Sequence, residues 1–363
     1  MRIAVLGGGN GSFAAASDFA LLGHDVRLWR RDAGQVAAHR AAGSRILLRD
    51  SNGQHNVRLA LVTTEIGDAV QNAELILCPV PAFAQPDIAG QLAPHLRDGQ
   101  VVFLPPATFG SMIFATATRD AGNRAQVSFA ETGTLPWLTR KHGPFEIAIT
   151  IRARRLPVGV FPLESAPYAL KAIRGAFPGV IEPCGDALSG ALMNAGPIIH
   201  PPLIMMNAGS IEHFERWDIH KEGTQAAIRR VTDALDAERI AVREALGYGG
   251  PHFPLAHHYA KEGEIWMYGR GSHDRLTDSG DWRERLVLTE HRYMQEDVKL
   301  GLCFLVSVAE LAGVATPLAR SFLAIGGTIC GEDFLETGRT LASLGLGGFD
   351  RGRLQTLLRK GFE

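Results

Sequence analysis

The sequence predicts an α/β chain: a parallel sheet covered on both faces by helices, followed by an all-α C-terminal domain. Three observations carry this reading. Up to residue 185, short apolar runs alternate with helix-like stretches. A glycine-rich turn, Gly7-Gly8-Gly9-Asn10-Gly11-Ser12, joins the first run to the first helix-like stretch. From about Asp186 onward strand signals fade, and Ala, Leu, Met, Glu and Arg recur at helical spacing.

In chain order the strand-like runs are "RIAVLG" (2–7), "DVRLWR" (25–30), "LILCPV" (75–80), "QVVFLPP" (100–106), "QVSFAE" (126–131) and "FEIAIT" (145–150). Helix-like stretches such as "GSFAAASDFALLG" (11–23) and "FAQPDIAGQLAPHL" (83–96) separate several of them. Continuous apolar strands between helices belong to a sheet buried on both faces. "GVIEPCG" (179–185) is the last strand-like run, and "AAIRRVTDALDAERIAVREALGYG" (226–249) is the longest helical pattern, punctuated by Gly247 and Gly249. The polar "GRGSHDRLTDSGDW" (269–282) reads as a surface loop. Glu310, Pro317 and Arg320 interrupt the apolar stretch 301–330. It therefore reads as two buried helices, since a membrane span needs roughly 20 nearly unbroken apolar residues. The expected domains are 1–185 and 186–363.

Composition excludes several function classes. The 363 residues carry 37 basic and 38 acidic side chains, a net charge of -1. That balance offers no basic excess for nucleic acid or an anionic membrane. Cys78, Cys184, Cys303 and Cys330 lie far apart and form no C-x-x-C pair. They read as free thiols of a cytoplasmic protein. The N-terminus lacks the long apolar core of a signal peptide. The histidines of "HFPLAHH" (252–258) show no metal-ligand spacing, and no metal site is expected. Neither a G-x-S-x-G elbow nor a P-loop lysine motif is present.

The glycine turn sits in strand–turn–helix–strand context and matches the Rossmann dinucleotide fingerprint, with Ser12 in the third glycine slot. Gly7 permits the turn, Gly9 lets backbone approach a pyrophosphate, and the small Ser12 lets helix pack on strand. Asn10 and Gly11 complete the loop, whose helix N-terminus offers N–H groups to phosphate. Cofactor choice rests with the end of the second strand, where an acidic residue selects NAD and arginine suits a 2′-phosphate. Here Arg30 and Arg31 follow Trp29, which favours NADP over NAD; exposed loop charges are the alternative. Val80 and Pro81, in the turn after "LILCPV", are expected beside the nicotinamide, because ligands of parallel sheets gather at the carboxyl ends of strands.

The second half contains "MNAGPIIHPP" (193–202), "RYMQEDVKLGL" (292–302), "TPLARSFLAI" (316–325) and "GRTLASLGLGG" (338–348). With "GGGNGS" and "ETGTLPW" (131–137), these motifs resemble the opine dehydrogenase family, the octopine/nopaline type, over nearly the whole chain. The resemblance implies NAD(P)H-dependent reductive condensation of an amino acid amine with a 2-oxo acid. Its partners would be small molecules, with a homodimer as an open expectation. It further implies that His200 and Asp297 form the catalytic pair and that Arg292 binds a substrate carboxylate. An acidic residue stands in many NAD-using members where this chain has Arg30.

The residues themselves are consistent with that reading. Pro197, Pro201 and Pro202 each remove a helical N–H, so a helix is expected to kink or break around His200. Apolar Ile198, Ile199, Leu203 and Ile204 would favour neutral imidazole, and Asp297 would orient it. Read alone, Glu296 and Asp297 could equally be solvated, with Arg292–Glu296 an i,i+4 pair. Asn194 and Asn207 are candidates for substrate binding or for capping, and Thr132 is a candidate wall of the substrate site. A ketopantoate reductase or glycerol-3-phosphate dehydrogenase type reductase is the alternative enzyme. That class uses a catalytic lysine, and only Lys221, Lys261 and Lys299 occur between residues 186 and 300. A non-catalytic nucleotide sensor would need neither His200 nor Asp297.

Overall fold

The computed structural model describes residues 1–362. It divides into two compact units: residues 1–191 with the C-terminal tail from Leu358, and Leu192–Leu357. The first boundary thus lies six residues past the expected one. The short helix Ala187–Ala191 is fully buried, and its Gly190 lies so close to Glu131 and Gly159 that an added Cβ would strike their backbones. It therefore belongs to the sheet it covers.

In the first unit the strands are β1 (Arg2–Leu6), β2 (Asp25–Trp29), β3 (Arg45–Asp50), β4 (Gly53–Arg58), β5 (Leu61–Thr63), β6 (Leu75–Leu77), β7 (Val101–Leu104), β8 (Ser128–Thr132), β9 (Trp137–Gly143), β10 (Glu146–Arg152), β11 (Leu156–Phe161) and β12 (Ile181–Asp186). Eight of them form one sheet in the order β12-β11-β8-β7-β6-β1-β2-β5. It is parallel from β5 to β8, whereas β11 runs antiparallel to β8 and β12 parallels β11. The expected all-parallel sheet is therefore mixed. The wholly apolar β6 and β7 are buried along their full length, as a doubly covered sheet requires.

A second sheet, β4-β3-β10-β9, was not anticipated. The run "FEIAIT" pairs there with β3 and β9 rather than in the large sheet. Only β10 of its four strands has a wholly recognisable apolar alternation; β4 is mostly exposed and polar. This sheet is pinned to the helix Asn10–Leu21. Trp137 Nε1 donates to Asp18 Oδ2 at 2.7 Å, and Arg152 pairs with the same carboxylate at 2.8 Å. Phe19, Trp137 and Phe177 pack ring to ring around this point, with centroids 5.2–5.8 Å apart.

The second unit is helical apart from a two-residue ladder, Trp217–Asp218 with Arg283–Glu284. Helix Ala226–Ala245 runs through it. Its buried Arg239 bonds Asp236 at 2.6 Å and the carbonyls of Leu192 and His252 at 3.0 and 2.9 Å. Glu238 accepts from Leu318 N and Ala319 N, which caps the helix Pro317–Cys330. The apolar stretch 301–330 does form two helices, Cys303–Ala312 and Pro317–Cys330. The supposed loop 269–282 contains a helix, Ser272–Asp278, whose Ser272, Leu276 and Thr277 are buried. Among the described residues no helix is long and apolar enough to cross a membrane.

Candidate active site

The glycine loop fits a dinucleotide phosphate. Gly7 takes φ +116°, a conformation that favours glycine, and donates its N–H to Trp29 O at 2.9 Å. Gly9 precedes the helix Asn10–Leu21, is exposed, and has nothing within 4 Å of where a Cβ would lie. No side chain caps this helix and its first turn holds no acidic residue. The N–H groups and partial positive charge of the helix terminus are thus left for an anion. Ser12 is buried and donates to Leu6 O at 3.3 Å, so it packs helix on strand. Gly11 is buried beneath Pro79 and Leu135. The Asn10 side chain accepts from Lys141 N at 3.0 Å, which ties the loop to the small sheet.

The two arginines part company. Arg31 is exposed and, among the described residues, pairs only with Asp87, at 3.4 Å. Arg30 is 4% exposed, bonds Gln35, and lies with its guanidinium carbon 5.1 Å from the Phe13 ring centroid. Val80 packs against Gly7, and Pro81 leads into the short turn Ala82–Ala84. Thr132 ends β8 fully buried, and its Oγ1 has no hydrogen-bond partner. Its neighbour Glu131, which local sequence gave no reason to single out, accepts from Phe109 N at 2.8 Å and from Ser111, and so caps the helix Gly110–Asp120.

In the second unit His200 and Asp297 come together: Nδ1 lies 2.7 Å from Oδ2. Each member rides on one of two closely packed helices. His200 lies on Gly196–Met205, and Asp297 lies on the π-helix Tyr293–Leu302. Such helices are rare and frequent at functional sites. Two glycines permit the approach. A Cβ on Gly196 would come 2.2 Å from Asp297 Oδ1, and one on Gly301 would come 2.3 Å from Pro197 Cγ.

The helix carrying His200 does not break. Pro197 stands at its N-terminus, where the missing N–H costs nothing, and Pro201 and Pro202 remove only the bonds to residues four back. Ile198 N and Ile199 N both donate to Ala195 O, and Met206 N donates to Pro202 O, so the helix closes at each end.

Tyr293 stacks on His200 with centroids 3.8 Å apart and rings 19° from parallel. Arg292 lies over the same tyrosine, its guanidinium carbon 5.5 Å from the centroid, and is exposed. Burial pushes the Asp297 carboxyl up to about 7, and Arg292 pulls it back only in part. Asn194 Oδ1 accepts from Gly196 N at 3.0 Å and so shapes the turn that starts the helix. The Asn207 amide donates to Leu203 O and Gly223 O, at 2.8 and 3.2 Å, and so holds backbone. Sequence reasoning missed Tyr293 although it adjoins Arg292, because an aromatic at helical spacing reads as core. Among the described residues no cluster suited to a metal ion occurs.

The family model described as "NAD/NADP octopine/nopaline dehydrogenase, alpha-helical domain" matches residues 183–330. That described as "NAD-dependent glycerol-3-phosphate dehydrogenase N-terminus" matches residues 2–104, and so ends before the helical unit. An opine dehydrogenase of Arthrobacter sp. is 28% identical, covering 95% of this chain and 95% of its own. A vitopine synthase of Allorhizobium ampelinum is also 28% identical, over 97% of this chain and 98% of its own. The fold is shared with a solved octopine dehydrogenase in complex with NADH and agmatine, at TM-score 0.74 and 20% identity, covering 100% of this chain and 99% of that one.

Proposed function

Proceeding from a chain that belongs to the opine dehydrogenase family, we propose that it joins an amino acid amine to a 2-oxo acid by NAD(P)H-dependent reduction. The product is an N-(carboxyalkyl) amino acid. The observation that carries the reading is the 2.7 Å pair of His200 with Asp297.

The bound dinucleotide supplies a hydride; this chain's residues manage protons and carboxylates. Asp297 at Nδ1 fixes which ring nitrogen of His200 faces substrate, and Tyr293 fixes the ring plane. The amine must lose a proton to become nucleophilic, and the oxo oxygen must gain protons to leave as water. A histidine–carboxylate pair serves both needs in turn. Arg292 offers a planar fork to a carboxylate, which both substrates carry. Thr132 offers a buried hydroxyl at the carboxyl end of β8. Asn194 positions Gly196 against Asp297. The loop from Gly7 to Ser12 would hold the pyrophosphate, Val80 and Pro81 would border the nicotinamide, and Arg30 favours NADP over NAD.

The test is NADPH oxidation over paired amino acids and 2-oxo acids, each partner omitted in turn. Oxidation that requires both partners is expected. Oxidation with the oxo acid alone would identify a simple oxo-acid reductase instead.

A further inference from the structure

The small sheet places a second cation beside Arg30. Lys141, on β9, reaches back across the glycine loop, where its Nζ lies 3.9 Å from the Phe13 ring centroid and 3.4 Å from Gly8 O. Arg30 approaches the same ring and the same glycine, since a Cβ on Gly8 would come 2.9 Å from Arg30 Nε. Two cations on one phenylalanine repel each other unless an anion joins them. No carboxylate does so here. Neither Arg30 nor Lys141 makes an ion pair among the described residues, and the one side-chain partner of Arg30 is the neutral Gln35. Arg30 is 4% exposed, yet its Nη1 lacks any hydrogen-bond partner. A buried guanidinium N–H left unbonded is costly and marks a missing acceptor.

The electrostatics agree with the geometry. Burial holds the Lys141 ammonium below its ordinary range, and Arg30 pushes in the same direction. His39, stacked behind Phe13, is held below the ordinary imidazole range by burial, against a bond to Arg45 O, and both cations add to the lowering. Burial likewise lowers Arg30; Asp32, the nearest acidic residue along the chain, attracts it without pairing, and itself accepts from Gln35 N at 2.8 Å to cap the helix Ala33–Ala41.

We infer that Arg30 and Lys141 together form the seat of the 2′-phosphate of NADP(H), with Lys141 as a specificity-determining residue supplied by the small sheet. This rests on the reading of the glycine loop as a dinucleotide site. The end of β2 is where such folds meet the adenosine ribose, and a phosphate there would accept from Arg30 Nη1 and Lys141 Nζ at once. Without this charge the two cations face each other.

Direct binding tests the assignment. Dissociation constants of NADPH, NADH, 2′,5′-ADP and 5′-AMP are measured by calorimetry for the wild type, Lys141→Met and Lys141→Arg. Methionine keeps the packing on Phe13, and the bond to Asn10 comes from the Lys141 backbone and survives either change. The wild type should bind 2′,5′-ADP more tightly than 5′-AMP. Lys141→Met should lower the ratio of the NADH to the NADPH constant about tenfold or more, the span of one charge-assisted hydrogen bond. Lys141→Arg should restore most of it. Equal affinities of the wild type for 2′,5′-ADP and 5′-AMP, or equal losses of NADH and NADPH in Lys141→Met, would overturn the phosphate seat and leave the opine reading standing. Failure of the wild type to bind either dinucleotide would overturn the reading beneath both.

Discussion

The two units build their candidate sites from different parts of the chain. In the first, the backbone does most of the work: Gly7 turns, Gly9 stays open, and an uncapped helix presents its N–H groups. In the second, side chains do it. His200 and Asp297 stand 97 residues apart and meet only because Gly196 and Gly301 let two helices close on each other. A backbone-made site is local, so a short motif can specify it. A side-chain-made site depends on packing, so each residue looks ordinary until its partner is placed.

The sharpest break of this comparison is at His200. His200→Ala should lower kcat by roughly 10²–10⁴, the span for losing a general acid–base. The dissociation constant of NADPH, measured by fluorescence, should stay near the wild-type value. Asp297→Ala should fall in the same direction, and the double variant should be little worse than the worse single one. Near-normal turnover with a lowered Tm would instead make His200 a packing residue.

A pair of glycine substitutions separates the two kinds of site. Gly9→Ala meets nothing within 4 Å and has no positive φ, so Tm should not change. It should nonetheless weaken NADPH binding about 10–100-fold, by holding phosphate off the backbone. Gly196→Ala should do the reverse, because its Cβ would press on Asp297 Oδ1. Overpacking of that kind costs about 1–3 kcal/mol, seen as a lower Tm and a lower kcat with NADPH binding unchanged. Equal responses of the two variants in both measurements would erase the distinction drawn here.

This contrast also explains what the sequence could disclose. The glycine loop, β1, β6 and β7 are legible because each is a mostly apolar run or a local turn, and β2 because it follows that loop and its helix with alternating burial. The small sheet is not, because β3 and β4 mix charge and polarity, and the strand that joins their hairpin to the rest of the sheet, β10, lies about a hundred residues away from β3. The role of Lys141 was invisible for the same reason: nothing near it in sequence indicates that it returns to Gly8 and Asn10. His200 and Asp297 were indicated by the family motifs rather than by periodicity, which left Asp297 free to be a solvated helix residue. The unbroken helix through Pro201 and Pro202 answers the expected break, because too few bonds are removed to end it.

A smaller effect should appear in the pH dependence of stability. The Asp297 carboxyl sits at about 7 in the folded chain and near 4 when unfolded. The folded state therefore binds its proton more tightly. The stabilisation this gives is complete below about pH 4 and is lost as pH rises through about 7. Asp297→Asn lacks this titration. The Tm of the wild type minus that of Asp297→Asn should then be more favourable to the wild type at pH 5 than at pH 8. A difference independent of pH would mean that His200 holds the carboxylate ionised throughout.

The smallest effect belongs to Arg31, the charge adjacent to the one that matters most in the first unit. Sequence places Arg30 and Arg31 side by side as equal candidates for a 2′-phosphate. The fold separates them, because neighbouring residues at the end of a strand point in opposite directions. Arg30 is carried onto Phe13 and Gly8 and buried; Arg31 extends into water and pairs loosely with Asp87 on the helix Gln85–Leu92. An exposed pair of this kind contributes little, about 0–1 kcal/mol. Arg31→Ala should accordingly change the NADPH dissociation constant by less than about twofold at physiological salt, where exposed charges are screened beyond about 8 Å. Arg30→Ala in the same assay should lose most of the preference for NADPH over NADH. If Arg31→Ala shows the larger loss, the phosphate lies on the solvent side of β2, and neither Arg30 nor Lys141 is its seat.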